Sequence, residues 1–169
     1  QYASAFGYAA EASGDYATSL GIESEASGTS SIAIGRNSKA TNDNAIAIGN
    51  GASATDERAV AIGYESDATA IGSQSIGLRA TATANYSIAQ GTNATAKGSA
   101  SIAIGFDSNA SDIDAIAIGF EANASSNSST AIGRSSSATA KYGTSLGANS
   151  SSEGLRSTTV GFLSKSSEN

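Results

Sequence analysis

The sequence predicts an all-β fold, a parallel β-solenoid of about twelve short coils. The main observation is a set of twelve glycines that recur every fourteen residues without an insertion: Gly7, Gly21, Gly35, Gly49, Gly63, Gly77, Gly91, Gly105, Gly119, Gly133, Gly147 and Gly161. A fixed period of this kind is typical of solenoids, in which each repeat is stable only when it is stacked on its neighbours. Fourteen residues accommodate two short strands and two turns, but not a helical hairpin. We therefore expect no helix of several turns.

The first strand of each coil is predicted in the three residues before the repeated glycine, as in Ile32-Ala33-Ile34. Because side chains alternate across a strand, Ile32 and Ile34 share one face and Ala33 lies on the other. A roll filled only with alanine, serine and glycine would bring its sheets much closer than the ~10 Å usual for packed sheets. We therefore expect Ile32 and Ile34 inside the coil, opposite Ser38 and Ala40, and the Ala33 column outside.

The second strand is predicted from two to six residues after the glycine. Positions three and five are almost always alanine or serine, such as Ser38 and Ala40, whereas positions two, four and six are polar, such as Glu23, Glu25 and Ser27. This alternation predicts a strand with small residues inside and solvated residues outside. Glycine, asparagine and aspartate follow as turn formers and close the coil.

Two glutamines interrupt the isoleucine columns. Gln74 stands three residues before Gly77, and Gln90 stands one residue before Gly91. With the isoleucines inside, both amides are expected to be buried and to require hydrogen-bond partners. They are interpreted either as an ion site or register-fixing polar layer, or as satisfied amides tolerated within the stack.

The position directly after the glycine also carries a pattern, because it is bulky in seven of the twelve coils. These residues are Tyr8, Ile22, Tyr64, Leu78, Phe106, Phe120 and Phe162. Such a column would be exposed at the corner of a lone roll, and contiguous exposed apolar surface usually marks an interface. The column therefore predicts association with another chain.

Composition argues against catalysis and against several partners. Histidine and cysteine are absent, which excludes Ser-His-Asp and Cys-His arrangements and most transition-metal sites. The carboxylate pairs Glu23 with Glu25 and Glu65 with Asp67 are better explained by stacking on Lys39 and Arg79 of the next coil. A net charge of -6 argues against nucleic acid and anionic membrane surfaces as partners. We expect no catalytic residue, no cofactor and no metal.

Three segments, residues 31–38, 44–49 and 101–108, read Ser-Ile-Ala-Ile-Gly-Arg-Asn-Ser, Asn-Ala-Ile-Ala-Ile-Gly and Ser-Ile-Ala-Ile-Gly-Phe-Asp-Ser. They resemble the repeated Asn-Ser-Val-Ala-Ile-Gly-x-x-Ser motif of YadA-like heads of trimeric autotransporter adhesins, with isoleucine commonly in place of valine. The resemblance implies a left-handed parallel β-roll, a homotrimer and display at the outer membrane of a Gram-negative cell. It also implies that residues 1–169 are one head domain of a longer protein, with the stalk and membrane anchor elsewhere. The small column of Ala33, Ala47, Ala61 and Ala103 is then expected at the trimer axis.

For function, the resemblance implies a non-catalytic adhesin head that attaches to extracellular matrix proteins such as collagen, to host cells, or to like molecules in autoagglutination. Nucleic acid is not an expected partner, and contact with the membrane is expected only through the anchor. Passive spacing within a surface fibre is one alternative. Ice binding by the threonine column is another and weaker alternative; its members are Thr41, Thr55, Thr69 and Thr83. The candidate ligand-binding residues lie on a diffuse polar outer face: Glu23, Asn37, Glu65, Arg79, Asn93 and Glu121.

Overall fold

The computed structural model describes residues 2–167, which form 24 short β-strands and no helix. Each fourteen-residue coil contains one three-residue strand, a turn, one two-residue strand and a second turn. The predicted parallel β-solenoid of about twelve coils is confirmed.

The three-residue strands build the first of two parallel twelve-stranded sheets. They are β1 (Ser4–Phe6), β3 (Thr18–Leu20), β5 (Ile32–Ile34), β7 (Ile46–Ile48), β9 (Val60–Ile62), β11 (Gln74–Ile76), β13 (Ile88–Gln90), β15 (Ile102–Ile104), β17 (Ile116–Ile118), β19 (Thr130–Ile132), β21 (Thr144–Leu146) and β23 (Thr158–Val160).

The two-residue strands build the second sheet. They are β2 (Glu11–Ala12), β4 (Glu25–Ala26), β6 (Lys39–Ala40), β8 (Ser53–Ala54), β10 (Asp67–Ala68), β12 (Thr81–Ala82), β14 (Thr95–Ala96), β16 (Asn109–Ala110), β18 (Asn123–Ala124), β20 (Ser137–Ala138), β22 (Ser151–Ser152) and β24 (Lys165–Ser166).

Strand register follows the sequence period, since each residue pairs with the residue fourteen positions further on. Ala33, for example, is the partner of Ala47, which in turn is the partner of Ala61. Equivalent residues therefore form columns along the stack. A side chain introduced in one coil therefore lies next to the equivalent residues of the coils above and below.

The coil interior contains only small side chains, which corrects the predicted orientation of the first strand. Ala33 and Ala47 are fully buried, whereas Ile32 and Ile34 on the same strands are half-exposed. All fully buried apolar residues among those described are alanines, and the largest fully buried side chains are serines. The prediction of an isoleucine-filled roll with alanines facing outward is therefore wrong. The two sheets are joined by short, tight turns, and this connection leaves room only for small residues between them.

Most buried serines in this interior are accommodated by hydrogen bonds to nearby residues, whereas the buried hydroxyls of Ser31 and Ser101 have no partner within residues 2–167. The Ser38 hydroxyl donates to the carbonyl oxygen of Gly35 at 2.9 Å, and Ser73 makes the equivalent bond to Ala70 at 2.7 Å. Equivalent positions in other coils hold alanine, such as Ala52. Because a local bond satisfies the hydroxyl, serine and alanine are interchangeable at the end of a turn.

The repeated glycine is required by the close approach of successive backbones. Gly35 has a φ of +126°, and a Cβ built on it would lie 2.5 Å from the carbonyl oxygen of Gly49. A side chain at this position would collide with the backbone of the next coil. This contact explains why the glycine recurs without exception.

A second backbone signature divides each coil into two similar halves. Every seventh described residue from Ala9 to Leu163 has a left-handed φ, between 50° and 68°, and only Gly51 and Gly72 among them are glycines. At both turns the amide of this residue donates to the preceding coil, as Glu23 does to Tyr8 at 2.9 Å and Ser30 does to Asp15 at 2.7 Å. The left-handed conformation costs about 1–2 kcal/mol for a non-glycine residue, and the bond between coils offsets part of that cost.

Candidate functional site

All six predicted ligand-binding residues occupy the same structural position, the left-handed residue two places after the repeated glycine. They are Glu23, Asn37, Glu65, Arg79, Asn93 and Glu121, with φ between 50° and 56°. Asn37 is half-buried and the other five are exposed. The structure therefore brings the six into one column along the first turn, although sequence alternation had placed this position within the second strand.

The position of this column also changes the interpretation of the carboxylate pairs. Glu23 lies in the turn before β4, whereas Glu25 lies on β4 itself. The two carboxylates are therefore not consecutive outward residues of one strand. Glu25 is instead the strand partner of Lys39, as the stacking argument predicted.

Glu65 and Arg79 form the clearest electrostatic contact in the column. The Arg79 Nε donates to the Glu65 Oε2 at 2.9 Å across one coil step. This bond, together with a hydrogen bond from Tyr64, holds the pKa of the Glu65 carboxyl below its usual value. The bond to Glu65 in turn raises the pKa of the Tyr64 hydroxyl. Because all three side chains are exposed, the cluster adds little to the stability of the fold, and its main effect is on the distribution of charge at the surface.

The first-turn corner also carries stacked aromatic rings beside the candidate column. Phe106 and Phe120 stack with their centroids 5.2 Å apart and their planes at 8°, and the Arg134 guanidinium lies 5.7 Å from the Phe120 centroid. These residues directly follow their repeated glycines in three consecutive coils. The sequence predicted a bulky corner column, and the structure adds that cationic residues extend the aromatic stack.

The second turn presents an aromatic group that sequence analysis missed. Tyr142 lies between Lys141, whose Nζ is 5.0 Å from the ring centroid, and Arg156, whose guanidinium carbon is 5.8 Å away. Tyr142, like Tyr16 and Tyr86, occupies the left-handed position of this turn and is exposed. The sequence did carry a signal for this group, since Tyr16, Tyr86 and Tyr142 are separated by multiples of fourteen residues and therefore belong to one column.

The outer faces of the two sheets differ in chemistry. The first sheet carries two largely aliphatic columns that are half-exposed or exposed: Leu20, Ile32, Ile34, Ile46, Ile48, Val60, Ile62, Ile76, Ile88, Ile102, Ile104, Ile116, Ile118, Ile132, Leu146 and Val160. We call this surface the apolar face. The surface reaches the bulky first-turn corner.

The outer face of the second sheet is polar, and we call it the polar face. The threonine column lies at its edge, directly after strands β6, β8, β10 and β12. The neighbouring outward positions on those strands are Lys39, Ser53, Asp67 and Thr81. Two of these four residues are charged, so the threonines have no uniform second column beside them.

Gln74 and Gln90 lie on the apolar face, and both are exposed. The expectation that their amides are buried is therefore wrong, for the same reason that the isoleucine orientation is wrong. Gln74 pairs with Val60 and Ile88, and Gln90 replaces an aliphatic residue in the next coil. The two amides interrupt the aliphatic columns in the middle of this face, whereas threonines occupy the first column nearer its ends, at Thr18, Thr130, Thr144 and Thr158.

The part of the chain that the structure describes has no pocket and no cluster of three or more potential metal ligands. Residues 2–167 include no helix with the length and hydropathy needed to cross a membrane. The surfaces available for contact are therefore the two sheet faces and the two turn columns.

Comparison with known families identifies one match, to the model described as YadA head domain repeat (2 copies). The matched residues are 1–24, 26–52, 40–66, 82–108, 96–122, 110–136 and 124–150, which together cover well over half of the chain. Residues 67–81, which include Gln74, lie outside these segments. A comparison with curated proteins finds no match.

Proposed function

Because this chain belongs to the YadA head domain repeat family, we propose that it is the head of a trimeric autotransporter adhesin. In this proposal three left-handed β-rolls associate in parallel, and the assembled head is displayed outside the outer membrane of a bacterial cell. The head is non-catalytic and binds an extended partner. The observation that carries the proposal is the contrast between the apolar face and the polar face of one thin roll.

The apolar face is the surface that we assign to trimer assembly. A single coil interior of alanine and serine leaves the isoleucines at positions such as 48 and 104 only partly covered. Contiguous exposed apolar surface of this kind marks an interaction site in soluble proteins. Burial of one such face against two copies would remove the isoleucines and the first-turn corner from water. The alanine column, predicted at the trimer axis, is instead enclosed within each roll.

The polar face and the first-turn column remain for the partner. Glu23, Asn37, Glu65, Arg79, Asn93 and Glu121 project from a regular stack in which equivalent positions are about 4.8 Å apart from coil to coil. Without a pocket, each coil offers only shallow polar contacts. Affinity then arises from many weak contacts and from display in three copies. An extracellular matrix protein such as collagen, a host cell surface or a like molecule fits this mode.

Removal of whole coils tests the proposal. Deletion of residues 50–63 removes one fourteen-residue repeat and leaves every column in register. We expect the deletion protein to remain folded and trimeric, as measured by light scattering, and to adhere to immobilised matrix proteins or cells in proportion to the coils that remain. A companion variant replaces Glu65 and Arg79 together by serine, which removes two candidate contacts without changing length; we expect it to remain trimeric and to adhere more weakly.

Two outcomes contradict different parts of the proposal. A stable monomer at all accessible concentrations would contradict assignment of the apolar face to trimer assembly. An intact trimer that binds no matrix protein, cell or like molecule would contradict the adhesin function. The second result would favour a spacer, a role that the absence of any pocket in residues 2–167 also fits.

A further inference from the structure

A repetitive apolar face presents a register problem for any assembly of this chain. Strands such as β5, β7, β15 and β17 offer the same Ile-Ala-Ile sequence to a neighbour. If three copies pack through these faces, a shift of one coil, about 4.8 Å, replaces isoleucine by isoleucine. Shape and hydrophobicity alone therefore specify the axial alignment of the chains poorly.

Gln74 and Gln90 break this repetition near the middle of the face. Gln74 replaces the aliphatic residue of the first outward column, between Val60 and Ile88, and Gln90 replaces that of the second column, between Ile76 and Ile104. The two residues are diagonal neighbours in adjacent strands, separated by about 8 Å from strand spacing and rise per residue. No other described strand of the first sheet carries a glutamine.

We propose that Gln74 and Gln90 fix the axial register of the trimer. This inference rests on the trimer of the proposed function. With the chains in register, the amides of all three copies lie within one coil step of each other. Each amide has two N–H donors and an accepting oxygen, so that neighbouring amides satisfy one another at the interface.

A slipped register removes this compensation. A shift of one or more coils moves an amide opposite an aliphatic residue of the next copy, such as Ile62 or Ile104. An amide that loses water without gaining a partner destabilises the assembly. The same logic underlies a single buried asparagine that selects the register of a coiled coil at some cost in stability.

Substitution of both glutamines by isoleucine tests the proposal, because isoleucine restores the repeat of the neighbouring coils. In the native trimer, methyl NMR spectra of labelled isoleucines should show one signal for each residue, since the three chains are equivalent. In the Gln74→Ile/Gln90→Ile protein we expect two or more signals for residues on the apolar face, because slipped chains are no longer equivalent. The control Gln74→Asn/Gln90→Asn keeps the amides and should retain single signals.

The outcomes separate this inference from the trimer on which it rests. Single signals from a trimeric isoleucine variant would overturn the register function and leave the trimer intact. A monomeric native protein would overturn both. Extra signals from the isoleucine variant, together with single signals from the native and asparagine proteins, would support both.

Discussion

Separate substitutions of two neighbouring residues on strand β7, Ala47 and Ile48, test the observed orientation of the first sheet. Ala47 is fully buried, is flanked in register by Ala33 and Ala61, and belongs to an interior cluster of alanines. Ala47→Leu therefore adds an isopropyl group where the interior residues of the neighbouring coils are no larger than serine. Overpacking of this kind costs about 1–3 kcal/mol in ordinary cores. We expect about 3 kcal/mol here, because both sheets are constrained by their short turns.

The matched variant is Ile48→Ala, one residue away on the opposite face. Full burial of isoleucine contributes about 1.5–3 kcal/mol, and Ile48 is only half-buried within its own chain. We expect a loss of about 1 kcal/mol of fold stability from this variant, together with weaker association. Using the ~2–4 °C change per kcal/mol for chains of this size, Ala47→Leu should lower the melting temperature by about 6–12 °C and Ile48→Ala by about 2–4 °C.

Circular dichroism melts at several protein concentrations measure both effects. The decrease in melting temperature caused by Ala47→Leu should be independent of protein concentration. The decrease caused by Ile48→Ala should become larger on dilution, because the assembly is weaker. A larger, concentration-independent loss for Ile48→Ala than for Ala47→Leu would refute the observed orientation.

Three further predictions concern the turns. Gly35→Ala should unfold or severely loosen its coil, because the added Cβ meets the backbone of Gly49. Gly51→Asn should change stability by less than about 1 kcal/mol, because Gly51 has a φ of +68° and an added Cβ would come no closer than 3.5 Å to a side-chain carbon of Glu65. Equilibrium denaturation compares the two variants, and equal losses of stability would contradict this explanation of the repeated glycine. Arg79→Ala should raise the pKa of Glu65, because Arg79 lowers that pKa in the native protein. The small stabilisation from the native pair is therefore present above the ordinary carboxyl pKa and is lost as the pH falls through the lowered pKa. NMR titration of the carboxyl group measures the shift, and an unchanged Glu65 titration curve would be inconsistent with the observed bond. Ser38→Ala should cost no more than about 1 kcal/mol, because alanine occupies the equivalent buried position at Ala52; a loss of several kcal/mol in denaturant melts would show that the bond to Gly35 is structurally essential.

The period predicted most of the fold because every column has one backbone environment. The glycines recur at the turn, as the period predicts. Alternation correctly placed the small residues Ser38 and Ala40 inside the roll and Glu25 on the outer side of β4. The homotrimer, the partner and the six-residue binding column stay proposals, since they depend on surfaces that one chain presents but does not itself cover.

The orientation of the first strand was predicted wrongly because the usual spacing of packed sheets was applied to sheets joined by very short turns. The sequence contained a better signal. Ala45 precedes Ala47 by two residues and therefore shares its face, and both are as small as the interior residues of the second strand, Ala52 and Ala54. Four columns of small residues pointing to one interior account for this pattern, and Thr159 is the single larger residue in them. Because Gln74 and Gln90 occupy positions of the isoleucine columns, the wrong orientation also led to the wrong prediction that both amides are buried.

The separation of backbone and side-chain roles explains why ligand identity is harder to infer than fold. At the first turn, the structural requirement on the residue two places after the glycine is a left-handed φ and an amide that bonds to the preceding coil, as at Glu23. The side chain itself is not needed for that bond, and the column accordingly contains Glu65, Arg79 and Asn93 at three consecutive coils. Repetition therefore specifies the roll, while the outer columns are free to vary in charge and shape. Recognition by this head must be sought in the particular order of those variable residues, coil by coil.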